Sequence, residues 1–261
     1  MDYGDSTTLR AGSFALIYVH LRSSPLNSLS FNTFGYNRRM LIPIDRLVRS
    51  RRKTIAIIVE RDASLTVRAP QRMSETSINA FVESHRDWVT KNQARVLAAG
   101  PISPKRFAEG EKFLYLGMAY PLNILPRQRS ALTFDGKSFR LSKSALPKAQ
   151  EAFVRWYKGQ AALLLFERVL VLARKHGFRY QKIRISSART RWGSCSSLGT
   201  LSFTYRLVMA PPEVVDYVVM HELVHTQIHN HSRKFWDRLE GLMPDFKSRL
   251  AWLKKNGKYL I

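Results

Sequence analysis

The segment His221-Glu222-Leu223-Val224-His225 holds the residues whose types and spacing most clearly imply chemistry. Two histidines four residues apart project from one face of a helix, about one turn from each other. Their imidazoles can converge on a single Zn²⁺ with bonds of about 2.1 Å. Glu222 lies about 100° round the helix from His221, off the ligand direction but within reach of a zinc-bound water. Two ligands and a general base on one rigid element suit metal-assisted hydrolysis. The pattern arises by chance in well under ~1 in 100 chains of this length, so coincidence is a poor account. A purely structural helix would set three ionisable groups among Val214, Val215, Val218, Val219, Met220, Leu223 and Val224. That is costly unless they are paired or bind a metal.

A catalytic zinc takes three protein ligands and keeps one position open. The downstream candidates are His229, His231, Asp237 and Glu240. On an unbroken helix His229 would stand about 12 Å along the axis from His221, too far to share an ion. If the chain turns near His229 and Asn230, His231 swings back, and it is the expected third ligand. Glu240 is the fallback. The spacing invites comparison with the metzincin pattern H-E-x-x-H-x-x-G-x-x-H. Ile228 stands where that pattern has glycine, so the same turn is not available. Asn230 is the residue best suited to a left-handed conformation there.

The elements that must position these groups are legible in outline. Thr54 to Glu60 reads as a β-branched strand, turned at 61–64 into Leu65 to Ala69 and stopped by Pro70. A helix follows from about Glu75, with Ile78, Phe81, Val82, His85, Trp88 and Val89 on one packing face. Phe113–Leu116 with Leu122–Leu125, and Leu132–Phe134 with Phe139–Leu141 around Asp135-Gly136, read as hairpins. A long helix spans Pro147 to His176, closed by Gly177, and Gly159 is expected to bend or divide it. Strands follow near Tyr180–Ile185 and Leu201–Val208, the second alternating apolar and polar residues. Pro212 opens the helix that carries the histidines. The fold class is therefore α+β, with a β-hairpin-rich N-terminal part and a C-terminal helical part carrying HExxH. Residues 1–40 read as a weakly ordered leader, 41–145 as the β-rich part and 146–261 as the catalytic part.

The chain has 261 residues, 45% apolar and 24% charged, which excludes wholesale disorder, collagen and coiled coil. A formal charge of +24, spread over both halves, suits either solubility or attraction to nucleic acid, nucleotide or an anionic surface. Arg46 to Lys53, with Arg38 and Arg39 upstream, is the densest basic run; it reads equally as an anion contact or a solvated face. No stretch is long and apolar enough to span a membrane. A single cysteine, Cys195, excludes an internal disulfide and points to a reducing, cytoplasmic setting.

Arg191-Trp192-Gly193-Ser194-Cys195-Ser196, Ala210 through Val219, His221 to His225, Asn230-His231-Ser232, Phe235-Trp236 and Met243-Pro244-Asp245 together closely resemble the YgjP-like metallopeptidase domain family, related to the WLM and SprT-like zincins. The resemblance covers roughly residues 45–258 and is strongest from 189. It implies a zincin-type α+β fold, one zinc on His221, His225 and His231, and Glu222 as the base. Zincins pair extended peptide with an edge strand, and the strand bearing Ser202 and Thr204 is a candidate for that role. Arg189, Arg191 and Arg206 read as holders of a substrate carboxylate or phosphate, or as solvated. Trp192 and Trp236 read as walls of the site or as core. Cys195 reads by default as a buried neighbour of the site rather than a nucleophile.

The expected function is a zinc metallopeptidase acting on a protein or peptide. The resemblance also raises a metal-dependent nucleoside triphosphate (UTP) pyrophosphatase, where Mg²⁺ would enter. A DNA-associated protease, or a non-catalytic nucleic-acid-binding module with structural zinc, is a further alternative. The sequence leaves the oligomeric state open.

Overall fold

The computed structural model describes residues 15–20, 41–60, 62–98 and 104–260. The architecture is mixed α+β, with six α-helices and three small sheets among the described residues. The chain divides into two compact units, one spanning Ser13–Ile102 and the other containing Ser103–Ile261. Of the leader expected over residues 1–40, only 15–20 are described; Arg38 and Arg39 lie outside the described residues.

In the first unit, β1 (Ala15–His20), β2 (Arg46–Ser50), β3 (Thr54–Val59) and β4 (Leu65–Pro70) form a sheet of order β1-β3-β4-β2. β2 runs parallel to β4, and the other pairs are antiparallel. Helices α1 (Glu75–Ser84) and α2 (Arg86–Ala98) pack Ile78, Val82 and Val89 against Ile55, Ile57, Leu65 and Val67. The single helix expected from Glu75 is interrupted at His85. The His85 backbone N–H bonds back to the Val82 carbonyl at 3.0 Å, and its ring Nδ1 reaches the Phe81 carbonyl at 2.8 Å. These bonds close α1 before α2 begins. The basic run occupies the edge strand β2 and its exit, with Arg46, Arg49, Arg51 and Lys53 exposed.

In the second unit, β5 (Lys112–Tyr115), β6 (Met118–Leu125), β7 (Leu132–Phe134) and β8 (Phe139–Ser142) make a sheet of order β5-β6-β8-β7. Helix α3 (Ala149–His176) is continuous through Gly159, so that glycine does not divide it. Gly177, at φ +70°, ends α3 by donating its N–H to the Ala173 carbonyl, as a left-handed cap requires. A three-stranded sheet follows, built from β9 (Lys182–Ser186), β10 (Gly193–Cys195) and β11 (Thr200–Thr204) in the order β10-β11-β9. The strand expected to run to Val208 stops at Thr204. Residues Tyr205–Met209 instead form a buried 3-10 turn, in which Arg206 folds inward onto the Ser187 and Ala188 carbonyls.

Helices α4 (Pro212–His225), α5 (Arg233–Leu242) and α6 (Phe246–Asn256) complete the unit. Every residue from Tyr217 to His225 is buried, as befits a helix apolar all round. Arg168 of α3 clamps α4 through a two-pronged ion pair to Asp216, at 2.6 and 2.7 Å. Removing Asp216 leaves that guanidinium without its acceptor. Asp216→Ala is therefore expected to lower the unfolding free energy by about 1–3 kcal/mol, read from denaturant midpoints.

Candidate metal centre

Helix α4 delivers His221, Glu222 and His225 near its C-terminal end. The helix closes just beyond them. Ile228 N–H bonds to the Val224 carbonyl at 3.0 Å, and Thr226 Oγ1 donates to the Leu223 carbonyl at 2.7 Å. The chain then reverses before α5 starts at Arg233. Among the described residues, positive φ outside glycine occurs at Ala63, Phe107 and Leu116. Asn230 therefore does not adopt the expected left-handed conformation. Its Oδ1 accepts the Ser232 N–H at 3.2 Å, so a side-chain turn does the work.

That reversal folds His231 back over α4. The Nε2 atoms of His221, His225 and His231 lie 3.2, 3.0 and 3.0 Å apart. A neutral imidazole offers one proton or one lone pair at Nε2, so three such atoms can share at most one hydrogen bond. A cation satisfies all three at once. Three imidazole nitrogens this close together would serve as the three protein ligands that a catalytic zinc takes. The donor set thus fits zinc. These three form the one group of potential metal ligands found among the described residues. The fallback Glu240 is exposed and ion-paired with Lys247 at 2.7 Å. His229 and Asp237 are exposed as well.

The ring states suit ligation. His225 Nδ1 lies 2.9 Å from the Ile228 carbonyl, which can only accept, so the proton sits on Nδ1 and the Nε2 lone pair faces its neighbours. Burial, then the charge of His225 and His231, holds His221 well below the usual histidine range. Burial, then His225, lowers His231 to about 4. Burial lowers His225 too, opposed by its bond to Ile228. Phe235 of α5 packs its ring 4.5–4.8 Å from all three imidazoles. Trp236 donates its indole N–H to the His231 carbonyl at 3.1 Å.

Glu222 is buried, and neither carboxylate oxygen has a hydrogen-bond partner among the described residues. Burial raises its pKa to about 8, against a smaller lowering by Arg191. The backbone of β10 presses on this carboxylate. A Cβ on Gly193 would stand 2.5 Å from Glu222 Oε1 and 2.6 Å from Cγ, so only glycine leaves room. The family motif includes Gly193, but its closeness to Glu222 escaped the sequence reading. A glycine inside a strand is the signal for such an approach.

The sheet order revises the substrate-side expectations. β11 is the central strand, paired on both sides, so Ser202 and Thr204 do not lie on a free edge. The edge strands are β9 and β10, and β10 is the one beside Glu222. Thr204 N–H bonds to the Trp192 carbonyl, and Ser196 N–H to the Thr200 carbonyl. Pairing alternates, so the amides and carbonyls of Gly193 and Cys195 face away from β11. Ser202, opposite Ser194, is on the sheet face away from Glu222. Thr204 and Arg206 are both buried and both donate to the Ala188 carbonyl, which ties them to that loop. Trp192 is 1% exposed and packs against Gly257, a core position. Arg191 is exposed. Burial, with Glu222 nearby, pushes the Cys195 thiol up to about 11, and Sγ donates to the Ser196 carbonyl, so it is no thiolate nucleophile.

Comparison with curated proteins and with solved structures finds no match. No helix among the described residues is long and apolar enough to cross a membrane. The family description "YgjP-like, metallopeptidase domain" matches residues 53–256. That span contains the whole three-histidine centre and most of the chain, which therefore belongs to the YgjP-like metallopeptidase domain family.

Proposed function

We propose that the protein is a zincin-type metallopeptidase that binds one Zn²⁺ per chain through His221, His225 and His231 and uses Glu222 as general base. The observation behind this reading is the triangle of imidazole nitrogens within 3.2 Å of one another, on the helix that also carries a buried, unpartnered carboxylate. When bound, zinc supplies Lewis acidity, polarising a scissile carbonyl and acidifying water. Glu222 accepts the proton of the attacking water at a carboxylate oxygen and passes it to the leaving amine nitrogen. Burial raises this carboxyl above the usual carboxylate range in the metal-free chain, and a cation beside it would draw it back towards the ionised, basic form. The free edge of β10 supplies the amides and carbonyls of Gly193 and Cys195 to an extended substrate.

The charge of +24 also suits a triphosphate substrate. Against that, phosphate chemistry recruits Mg²⁺ through carboxylates, and three imidazoles favour zinc. A purely structural zinc needs four protein ligands, and three cluster among the described residues. Purified protein is assayed on denatured proteins and on nucleoside triphosphates, with Zn²⁺ or Mg²⁺. Zinc-dependent peptide cleavage is expected; Mg²⁺-dependent release of pyrophosphate alone would replace this reading. Duplex DNA binding that falls steeply with salt would add a recruiting surface.

Gly193→Ala is expected to keep zinc and fold but to displace the Glu222 carboxylate. A misplacement of about 1 Å costs about 10²-fold in kcat/KM, measured on a peptide substrate alongside metal content.

A further inference from the structure

The Glu222 carboxylate has no hydrogen-bond partner among the described residues, so packing fixes where it stands. The packing partner is the Gly193 backbone, close enough that a Cβ there would stand 2.5 Å from Oε1. Trp192 directly precedes Gly193, is buried, and has a close approach of its own. A Cβ on Gly257 would stand 2.8 Å from Trp192 Cζ2 and 3.5 Å from Cε2, so the indole rests on bare backbone. Gly257 opens the 3-10 turn Gly257–Tyr259 that follows α6. That turn is anchored, because Leu260 is buried and its N–H bonds to the Gly257 carbonyl at 3.2 Å. Helix α6 is itself seated on α4, where Phe246 stacks on Tyr217 with ring centroids 6.4 Å apart. The Trp192 carbonyl accepts the Thr204 N–H at 3.0 Å, which ties the same residue to the sheet. Two successive residues therefore make tight contacts on different elements, Trp192 with the turn after α6 and Gly193 with Glu222 of α4.

We propose that Trp192 is a positioning residue for the general base: braced on Gly257, it holds the Gly193 backbone at the distance that confines the Glu222 carboxylate. This rests on the metallopeptidase reading above. Trp192 and Gly193 share a planar peptide unit, so a displacement of one carries the other. In a close-packed interior such a shift is passed to the next contact rather than absorbed. Glu222 then follows, with no hydrogen bond to resist. The zinc ligands stand outside this path. Arg168 clamps α4 through Asp216, and Phe235 packs against all three imidazoles. A disturbance at Gly257 should therefore move the base and leave the metal in place.

The test uses full-length protein, a peptide substrate, zinc content and thermal unfolding of the metal-free chain. Gly257→Ala drives a methyl into the indole contact, and Trp192→Phe removes Cζ2 and with it the clash. Gly257→Ala is expected to lower kcat by about tenfold, with KM and one zinc per chain unchanged, because misplacement by about 1 Å costs about 10²-fold and this shift is smaller. Alone it should also lower the metal-free unfolding midpoint by about 2–4 °C. Trp192→Phe slackens the brace and should lower kcat by about three- to tenfold. Adding Gly257→Ala to Trp192→Phe should have no further effect on kcat or midpoint. A contact that served packing alone would lower the midpoint and leave kcat per bound zinc unchanged, and that result overturns the proposal. An equal loss of kcat from Gly257→Ala in both backgrounds overturns it as well. Where Gly257→Ala does not fold, Trp192→Phe decides: full kcat overturns the proposal, and a lowered kcat at unchanged KM and zinc supports it. Zinc-loaded wild type that cleaves no peptide and no denatured protein would instead remove the peptidase reading beneath it.

Discussion

Glu222→Gln is expected to retain one zinc per chain while peptide turnover falls by about 10²–10⁴-fold, the range that a positioned general base contributes. Glutamine keeps the volume between α4 and Gly193 and loses the basic oxygen. The carboxylate has no structural hydrogen bond to lose, since both oxygens lack partners among the described residues. Stability should therefore stay level or rise, because a buried ionisable group becomes a neutral amide. Metal analysis, thermal unfolding and single-turnover assays separate these effects. Full turnover in this variant would remove Glu222 from the chemistry.

The second large effect is expected from His231→Ala. The other two ligands stay on α4, but one corner of the nitrogen triangle is gone, and stoichiometric zinc should be lost on dialysis at neutral pH along with all hydrolysis. The metal-free protein offers a companion measurement. His231 is held near 4 in the folded chain, whereas an unfolded histidine titrates near 6.5. Between those values the unfolded state binds more protons, so stability falls as pH drops through this window. The metal-free wild type should therefore lose stability on acidification from pH 7 to 4 more than metal-free His231→Ala does. Equal acid sensitivity would show that His231 is not buried among the other two rings.

How much of this was legible follows from the range of each interaction. The pair His221 and His225 is fixed by the period of one helix, so spacing alone reveals it. The buried setting of α4 is equally local, written in the valines around the motif. The return of His231 needed a reversal whose position was readable from the histidine spacing, while its construction through the Asn230 side chain was not. Which strand is the edge of the sheet depends on pairing between segments far apart in sequence. The alternating pattern of Leu201 to Leu207 looks the same in a central strand, and it also masks the 3-10 turn into which the chain folds after Thr204. The break at His85 was hidden because its ring and its backbone both satisfy the end of α1 without glycine or proline.

The unpaired edge of β10 is only three residues long, bounded by the bend at Trp192 and the turn after Cys195, and Gly193 at its start is buried. A row that short lends an incoming chain two or three main-chain bonds, each worth roughly 0.5–1.5 kcal/mol net. Such a grip is too weak to retain any extended polypeptide indiscriminately or to let copies of this protein zip together edge to edge. For the peptidase proposed above, discrimination among sequences and quick dismissal of the fragments of a cut peptide would follow from the shortness of the strand.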